Sequence, residues 1–307
     1  MNPDLVVDLI QSEFPTSYIS DVESIKGGYI SESFICHIDD QKYFIKFNAL
    51  KQSLKLFESE YSGLEELKCT QSIRVPNVFK VAYNIQNDYS FIIMEYINMI
   101  PIKDVELFVK ALTQLHSFDH KIENFGFHVP SYNGFISQPN SWCSNWTTFY
   151  IEQKLKPLIN SLTNKYTDDK EEILNLWQSL KNKIPKFFEN IDIKPVLLHG
   201  DLWMGNVGQT ITTNEIVFYD PACFYGHNEF DLATLYAFPL EDDPLLSNIE
   251  TIYYRYLNKT PQAGLKWRAK IYHLFPHLLN WIHFGPLPYK SSSLSLIKEI
   301  MEYEFST

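Results

Sequence analysis

A stretch of the chain near residue 200 carries polar side chains that together could transfer a phosphoryl group. The run HGDLWMGN (199–206) follows the apolar residues VLL, and Asp220 ends a later apolar run, IVFYD. Phosphoryl transfer requires a carboxylate that accepts or orients the proton of the acceptor hydroxyl, and it requires oxygen ligands for Mg²⁺. We therefore predict Asp201 as the catalytic base, and Asn206 and Asp220 as the magnesium ligands. Each residue alone would indicate only a cap or a turn, so the prediction rests on their combined spacing.

A lysine and a glutamate upstream could hold the phosphates of a nucleotide, as kinases require. In the strand-like run KYFIKF (42–47), successive side chains alternate between faces, so Lys46 projects from the face opposite to that of Phe47. Glu60 falls on the apolar stripe of a helix predicted over residues 51–68. A charge on a buried stripe needs a partner, and we predict an ion pair between Lys46 and Glu60. The alternative is an exposed pair, which would contribute only about 0–1 kcal/mol to stability.

Two further segments are predicted to complete an ATP site. Gly27 and Gly28, with Ser31 close behind, separate the first two strand-like runs, where a glycine turn would lay backbone N–H groups over phosphates. The loop matches neither of the usual glycine-rich phosphate-binding patterns, so its position carries the prediction. The end of the apolar strand FIIM is predicted to bind adenine through Glu95, Tyr96 and Ile97. An ordinary hairpin and an ordinary strand end are the respective alternatives.

The elements around these residues predict an α+β fold with two lobes, arranged as in protein kinases. Residues 1–97 indicate a small antiparallel β lobe of about five strands with one prominent helix, whose apolar stripe includes Tyr61. A short helix is also predicted over residues 3–13. Residues 98–307 indicate a larger, mainly helical lobe with a central β-hairpin. Its helices are predicted at about 104–118, 145–160, 170–188, 228–238, 246–257, 264–284 and 292–304.

Composition and charge argue against two classes of partner. The chain has 307 residues, of which 45% are hydrophobic and 21% charged, as in an ordinary globular protein. Its net charge is −11 and no segment concentrates Lys and Arg, so nucleic acid is not expected as a partner. Its longest apolar runs are much shorter than the ~20 residues needed to cross a bilayer, so no membrane association is expected.

The N-terminus and the cysteines predict a cytoplasmic protein. The first residues, MNPDLVVDLIQSEF, include acids and lack the basic start and long apolar core of a signal peptide. The cysteines are too scattered for a disulfide framework or a zinc site. We expect reduced and mostly buried thiols at Cys36, Cys69, Cys143 and Cys223.

The motifs resemble those of the fructosamine/ketosamine-3-kinase family, within the kinases that are similar to aminoglycoside phosphotransferases. HGDLWMGNV followed by YDPACFYGHNEFDLA carries most of the resemblance. Further matching segments are LFESEYSGLEEL, FGFHVPSYNGFISQPNSW and LLNWIHFG, so the resemblance runs from about residue 4 to 304. The first half of the catalytic motif is shared by many small-molecule kinases, whereas its continuation is much more specific.

The resemblance implies a reaction and a set of roles. Members of this family phosphorylate the 3-hydroxyl of ketosamines, which are adducts of sugars with amines, including protein lysines. The 3-phosphate makes the adduct unstable and frees the amine. The resemblance thus implies ATP and Mg²⁺ as cofactors, small ketosamines or glycated proteins as substrates, and the roles given above for Asp201, Asn206, Asp220, Lys46, Glu60 and residues 95–97. The candidates for a wall that binds the sugar are Trp203 and His283, and Asp231 is expected to brace the catalytic loop.

One departure and two alternatives accompany the resemblance. Several family members carry a cysteine in the glycine loop that is linked to redox-dependent pairing of chains, whereas Tyr29 stands at the aligned position here. The residues are also compatible with a kinase for another small hydroxyl substrate, such as an aminoglycoside, choline or homoserine. A catalytically silent nucleotide-binding module is the third hypothesis, against which the complete set of predicted catalytic groups argues. The sequence leaves the preferred sugar and the oligomeric state open.

Overall fold

The computed structural model describes residues 3–25, 30–50, 52–85, 88–238 and 248–305. Over these ranges a small lobe built on an antiparallel sheet precedes a larger lobe that is mainly helical. The predicted α+β bilobal architecture is therefore confirmed. Gly27 and Gly28 lie outside the described residues.

The small lobe contains the predicted five-stranded sheet. All neighbouring strands are antiparallel, in the order β1-β2-β3-β5-β4. Its strands are β1 (Ile19–Ile25), β2 (Glu32–Ile38), β3 (Gln41–Asn48), β4 (Val78–Asn84) and β5 (Tyr89–Glu95). Two helices accompany the sheet, α1 (Pro3–Glu13) and α2 (Ser53–Cys69), and both lie close to their predicted positions.

The two faces of strand β3 contact different helices, as its alternating pattern predicts. Ile45 and Phe47 join a cluster of buried apolar residues that includes Val6 and Leu9 of α1. Phe44 and Lys46 on the opposite face line the cleft between the lobes, where Lys46 contacts Glu60 of α2.

The buried face of helix α2 differs from the predicted one at a single position, Tyr61. Leu64 and Glu60 are buried, as expected, but Tyr61 is 42% exposed. The prediction for Tyr61 is wrong because the buried arc is centred on Glu60 and Leu64, and a step of about 100° per residue turns Tyr61 to the solvent edge.

The large lobe contains most of the helices, close to their predicted positions. The predicted helix 145–160 is one continuous helical stretch of three parts, and the predicted helix 170–188 ends in a 3₁₀ turn. The helices are α3 (Val105–Ser117), α4 (Trp146–Phe149) continuing through a π-helical segment (Tyr150–Leu155) into α5 (Lys156–Lys165), α6 (Lys170–Lys183) with its 3₁₀ turn (Ile184–Phe188), α7 (Glu229–Leu235), α8 (Ile249–Leu257), α9 (Leu265–Phe284) and α10 (Tyr289–Glu302).

Short strands of the large lobe surround the catalytic segment. The strands are β6 (Met99–Ile100), β7 (Ser131–Asn133), β8 (Ile136–Gln138), β9 (Val196–Leu198), β10 (Val207–Thr210), β11 (Ile216–Phe218) and β12 (Phe224–Gly226). The predicted hairpin is β10–β11, which β6 extends to three strands, while β12 pairs with β9. The hairpin β7–β8 was not among the predicted elements.

The cysteines and the described helices largely agree with the sequence-based expectations. All four cysteines are free, as predicted; Cys36 and Cys223 are buried, but Cys69 is exposed, so the thiols are less uniformly buried than expected. Among the helices in the described ranges, none offers a stretch long and apolar enough to cross a bilayer.

Candidate active site

A cleft of about 620 Å³ between the lobes gathers most of the predicted site residues. Its wall includes residues from the glycine-loop end, β3, α2, the connector after β5, and the catalytic segment. The predicted residues that line it are Ser31, Lys46, Glu60, Glu95, Tyr96, Ile97, Asp201, Trp203, Asn206 and Asp220. The structure thus brings together residues that are up to 189 positions apart in sequence.

The phosphate end of the cleft is organised by Lys46. Its Nζ lies 2.7 Å from Oε1 of Glu60 and also donates to the carboxylate of Asp220. Burial opposes the charged form of Lys46, but the carboxylates of Asp220 and Glu60 raise its pKa above its usual value. Lys46 is therefore a fixed cation in the cleft, positioned by the predicted glutamate.

The catalytic loop follows strand β9 and folds back on the segment that carries Asp220. Because β12 pairs with β9, the chain after Asp220 returns alongside the loop, and the Ala222 N–H donates to the His199 carbonyl at 2.9 Å. Gly200 has φ +77°, and a Cβ there would lie 2.1 Å from the Ala222 carbonyl oxygen. This close approach requires glycine and holds Asp201 near Asp220.

Asp231 braces the start of the loop, as predicted. Its two carboxylate oxygens accept hydrogen bonds from the backbone N–H groups of His199 (2.7 Å) and Gly200 (3.0 Å). His116 Nε2 lies 3.3 Å from the same carboxylate, which is fully buried. These charge-assisted hydrogen bonds to the Asp231 carboxylate therefore fix the conformation of the loop.

Asp201 is partly buried beside a second acid. Burial and the nearby charge of Asp220 raise the pKa of Asp201 to about 7. Hydrogen bonds from the side chains of Asn206 and Asn133 act in the opposite direction, because they stabilise the charged form. Such an environment makes Asp201 a stronger proton acceptor than an exposed carboxylate.

Asn206 and Asp220 offer oxygen atoms that fit a magnesium ion. The Asn206 amide nitrogen donates to the backbone oxygen and to the carboxylate of Asp201 (2.9 and 3.2 Å), which orients its Oδ1 away from Asp201. One Asp220 oxygen is bound by Lys46, and the Asp220 side chain is 44% exposed. Among the described residues, no cluster of three or more His, Cys, Asp and Glu could hold a metal. A sparse set of hard donors suits Mg²⁺, which keeps waters and binds phosphates.

The connector after β5 lies in the part of the cleft that is predicted to bind adenine. The carboxylate of Glu95, where this connector begins, contacts other residues of the protein. The Glu95 side chain binds Arg74 and accepts from Nδ2 of Asn77 at 2.9 Å. Its backbone N–H donates to the Asn77 carbonyl at 2.8 Å. The predicted base contact through Glu95 is thus limited to its carbonyl oxygen, beside Tyr96 and Ile97.

Aromatic residues form the opposite end of the cleft. Trp203 is 50% exposed, and its indole lies across Gly205, where a Cβ would be 2.1 Å from the ring. The hairpin β7–β8 contributes Tyr132 and Gly134 to the wall.

His283 stands behind this hairpin. Its Nε2 lies 3.3 Å from the carbonyl oxygen of Asn133, and its ring is 4.2 Å from that of Phe135, centroid to centroid. It is outside the set of described residues that line the cleft, so contact between His283 and a sugar stays a prediction.

The hairpin β7–β8 is the part of the site that the sequence analysis missed. A local signal was present, because Asn-Gly at 133–134 between β-prone residues is typical of a tight hairpin turn. Nothing in the local pattern, however, indicated that Asn133 would reach the catalytic loop, which lies more than 60 residues later, or that Tyr132 would line the cleft.

Two lobes enclose a cleft that is lined by the Lys46–Glu60 ion pair and by the acidic and amide side chains of Asp201, Asn206 and Asp220. This arrangement defines a kinase of the protein-kinase-like fold. Within that class, the chain belongs to the fructosamine kinase family, whose model matches residues 3–303.

Named relatives and solved structures agree with this assignment. The chain is 31% identical to a ketosamine-3-kinase from Mus musculus, over 95% of this chain and 98% of that protein. It is 32% identical to a chloroplastic protein-ribulosamine 3-kinase from Arabidopsis thaliana, over 98% of this chain and 89% of that protein. A crystal structure of a provisionally named fructosamine-3-kinase from Haemophilus somnus is similar in fold, with a TM-score of 0.81, 24% identity and 96% of each chain covered.

Proposed function

We propose that this protein is an ATP-dependent ketosamine 3-kinase, which phosphorylates the 3-hydroxyl of the sugar in glycated amines or glycated protein lysines. The observation that carries the proposal is membership of the fructosamine kinase family over residues 3–303, with the full set of transfer residues facing one cleft. The names of the mouse and Arabidopsis relatives support ketosamines, and ribulosamines among them, as the substrate class. The product decomposes and frees the amine, so the reaction serves deglycation.

Asp201 is assigned the role of catalytic base. The acceptor hydroxyl oxygen forms a bond to the γ-phosphorus of ATP while the bond from that phosphorus to the bridging oxygen of ADP breaks. The hydroxyl proton passes to the Asp201 carboxylate, whose raised pKa suits this task. Lys46, held by Glu60, binds phosphate oxygens and offsets their negative charge.

Asn206 and Asp220 are the residues that would hold magnesium. When bound, the ion neutralises charge on the phosphates and orients them for in-line transfer. The amide of Asn206 also donates to Asp201, so the same side chain links the base to the metal site. Ser31, Glu95, Tyr96 and Ile97 line the part of the cleft assigned to ATP, and Gly27 and Gly28 are proposed to cover its phosphates.

Trp203 is proposed as the face on which the sugar rests. An exposed indole beside the base suits the C–H surface of a sugar, and Tyr132 lines the same end of the cleft. His283 would act from behind the hairpin, through its contact with Asn133.

Three further assignments accompany this function. We place the boundary between an ATP-binding lobe and a catalytic lobe near residue 97, because β6 directly afterwards pairs with β10 of the larger lobe. Free thiols at all four cysteines favour a reducing compartment such as the cytoplasm. The partners proposed are small ketosamines or glycated proteins, with neither nucleic acid nor membrane required.

The substrate is tested by supplying Mg·ATP with ribulose-lysine or fructose-lysine, and with choline and an aminoglycoside as control acceptors. We expect ADP release with the ketosamines, phosphorus–proton coupling at the sugar's third carbon by NMR, and later release of free lysine. Turnover of choline or the aminoglycoside, with both ketosamines left unchanged, would reject the ketosamine assignment and keep the kinase.

A further inference from the structure

The hairpin β7–β8 is fixed to the catalytic lobe by a chain of buried polar contacts. Ser131 Oγ donates to the Cys223 carbonyl at 2.6 Å, and Asn140 Nδ2 donates to Ser131 Oγ at 2.6 Å. Lys154 Nζ in turn donates to Asn140 Oδ1 at 2.7 Å, and all three side chains in this chain are at least 95% buried. The start of the hairpin is therefore hydrogen-bonded to the segment that carries Asp220, because Asp220 lies only three residues before Cys223.

From this fixed base, Asn133 reaches the catalytic loop. It is 98% buried, and its Nδ2 donates to the Gly200 carbonyl at 3.4 Å. The Asn133 side chain also lowers the pKa of the Asp201 carboxyl, against the raising effect of burial. The backbone carbonyl oxygen of Asn133 lies 3.3 Å from Nε2 of His283. Asn133 therefore contacts both the catalytic loop and His283.

We propose that Asn133 is a positioning residue for Asp201, because its hydrogen bond to the Gly200 carbonyl fixes the loop backbone directly before Asp201. The inference rests on the proposed role of Asp201 as catalytic base. Asn206 donates to the Asp201 carboxylate from the loop itself, whereas Asn133 holds the neighbouring backbone from the hairpin. A base in a transferase is effective only when a further group fixes its orientation, because an error of about 1 Å can cost about 10²-fold in rate.

The test compares two Asn133 variants with a matched control from the same hairpin. Asn133→Leu keeps the approximate shape and removes all polar side-chain atoms. Asn133→Asp keeps the shape and replaces the donating amide nitrogen by a carboxyl oxygen, which carries negative charge when ionised. The control is Gln138→Met, because Gln138 is fully buried in β8 and its amide has no hydrogen-bond partner among the described residues. The measurements are kcat and KM for ATP with ribulose-lysine, acceptor-free ATP hydrolysis, and the melting temperature.

We expect both Asn133 variants to lower kcat by about 10-fold to 100-fold, in transfer and in hydrolysis, with KM for ATP within about twofold of wild type. Gln138→Met should keep both rates. Rates of the Asn133 variants equal to those of the control would overturn the proposal. So would loss of the melting transition in both, since Asn133 would then serve only the fold.

The same measurements separate this inference from the proposed function. Wild-type hydrolysis of ATP without transfer to either ribulose-lysine or fructose-lysine would reject the ketosamine assignment, while the hydrolysis rates of the variants would still decide the role of Asn133. Transfer by wild type with an unaffected Asn133→Asp variant would keep the proposed function and reject the positioning role.

Discussion

At the charged end of the cleft, where we propose that phosphates bind, Lys46 contacts both Glu60 and Asp220, whereas at the aromatic end Trp203 is half exposed. The charged end is held by strand β3, helix α2 and the segment that pairs with β9. The aromatic end is built from a loop and a short hairpin.

This difference follows the physical demands of the two tasks. Stabilising phosphate charge requires preorganised groups that need no rearrangement during the reaction, and buried ion pairs on regular elements provide that. Recognising an acceptor depends on shape and apolar contact, which loops can vary without disturbing the fold. We therefore expect substitutions at the charged end to lower kcat strongly and substitutions at the aromatic end to raise KM for the acceptor.

The largest effect is expected at Lys46. Lys46→Met removes the cation that we propose binds the phosphates, and it leaves the carboxylates of Glu60 and Asp220 without their shared partner, so kcat should fall by about 10²- to 10³-fold. Lys55→Met, an exposed lysine on α2, is the matched control and should keep wild-type activity. Steady-state kinetics with Mg·ATP measure both variants. A kcat of Lys46→Met within tenfold of wild type would contradict the claim that the charged end determines kcat.

A backbone change at Gly200 should have the next largest effect. Gly200→Ala adds a Cβ in a left-handed conformation and against the Ala222 carbonyl, so it should lower stability by more than the ~1–3 kcal/mol of backbone strain and also displace Asp201. Gly285→Ala is the control, because Gly285 has φ +99° but nothing within 4 Å of a Cβ. Thermal unfolding and kcat should show a larger loss for Gly200→Ala; equal losses would mean that the contact with Ala222 is unimportant.

The charged end was largely predictable from sequence and the aromatic end was not. The pairing of Lys46 with Glu60 follows from strand alternation and helix period, and Asp201, Asn206 and Asp220 follow from local spacing. Each of these signals acts within a single element or a short segment. The order of these elements along the chain then predicts the two lobes that enclose one cleft.

What escaped prediction depends on contacts between distant segments. Arg268 and Glu229 form a bidentate ion pair at 2.7 Å, fully buried between α9 and α7, although each would be interpreted from sequence as a surface charge. The reach of Asn133 to the catalytic loop is of the same kind. Apolar periodicity shows which face of an element is buried, but it does not show which polar groups meet there.

The smallest effect is expected at Trp203. Trp203→Ala removes an aromatic surface worth about 1 kcal/mol, so KM for the ketosamine should rise about fivefold with kcat nearly unchanged. Trp142→Ala is the control, because Trp142 is equally exposed (48%) and lies outside the set of described cleft residues. A fall in kcat without a change in KM would place Trp203 with the transfer machinery and remove the distinction between the two ends.

The central claim is that Asp201 is the base for phosphoryl transfer to a ketosamine, and the most direct test is the rate of phosphate transfer from Mg·ATP to ribulose-lysine by Asp201→Asn. This substitution keeps the size of the side chain and removes the proton acceptor. The account predicts a fall in kcat on the order of 10²-fold or more, with the affinity for Mg·ATP preserved. A variant that transfers phosphate at a rate within tenfold of wild type would contradict it.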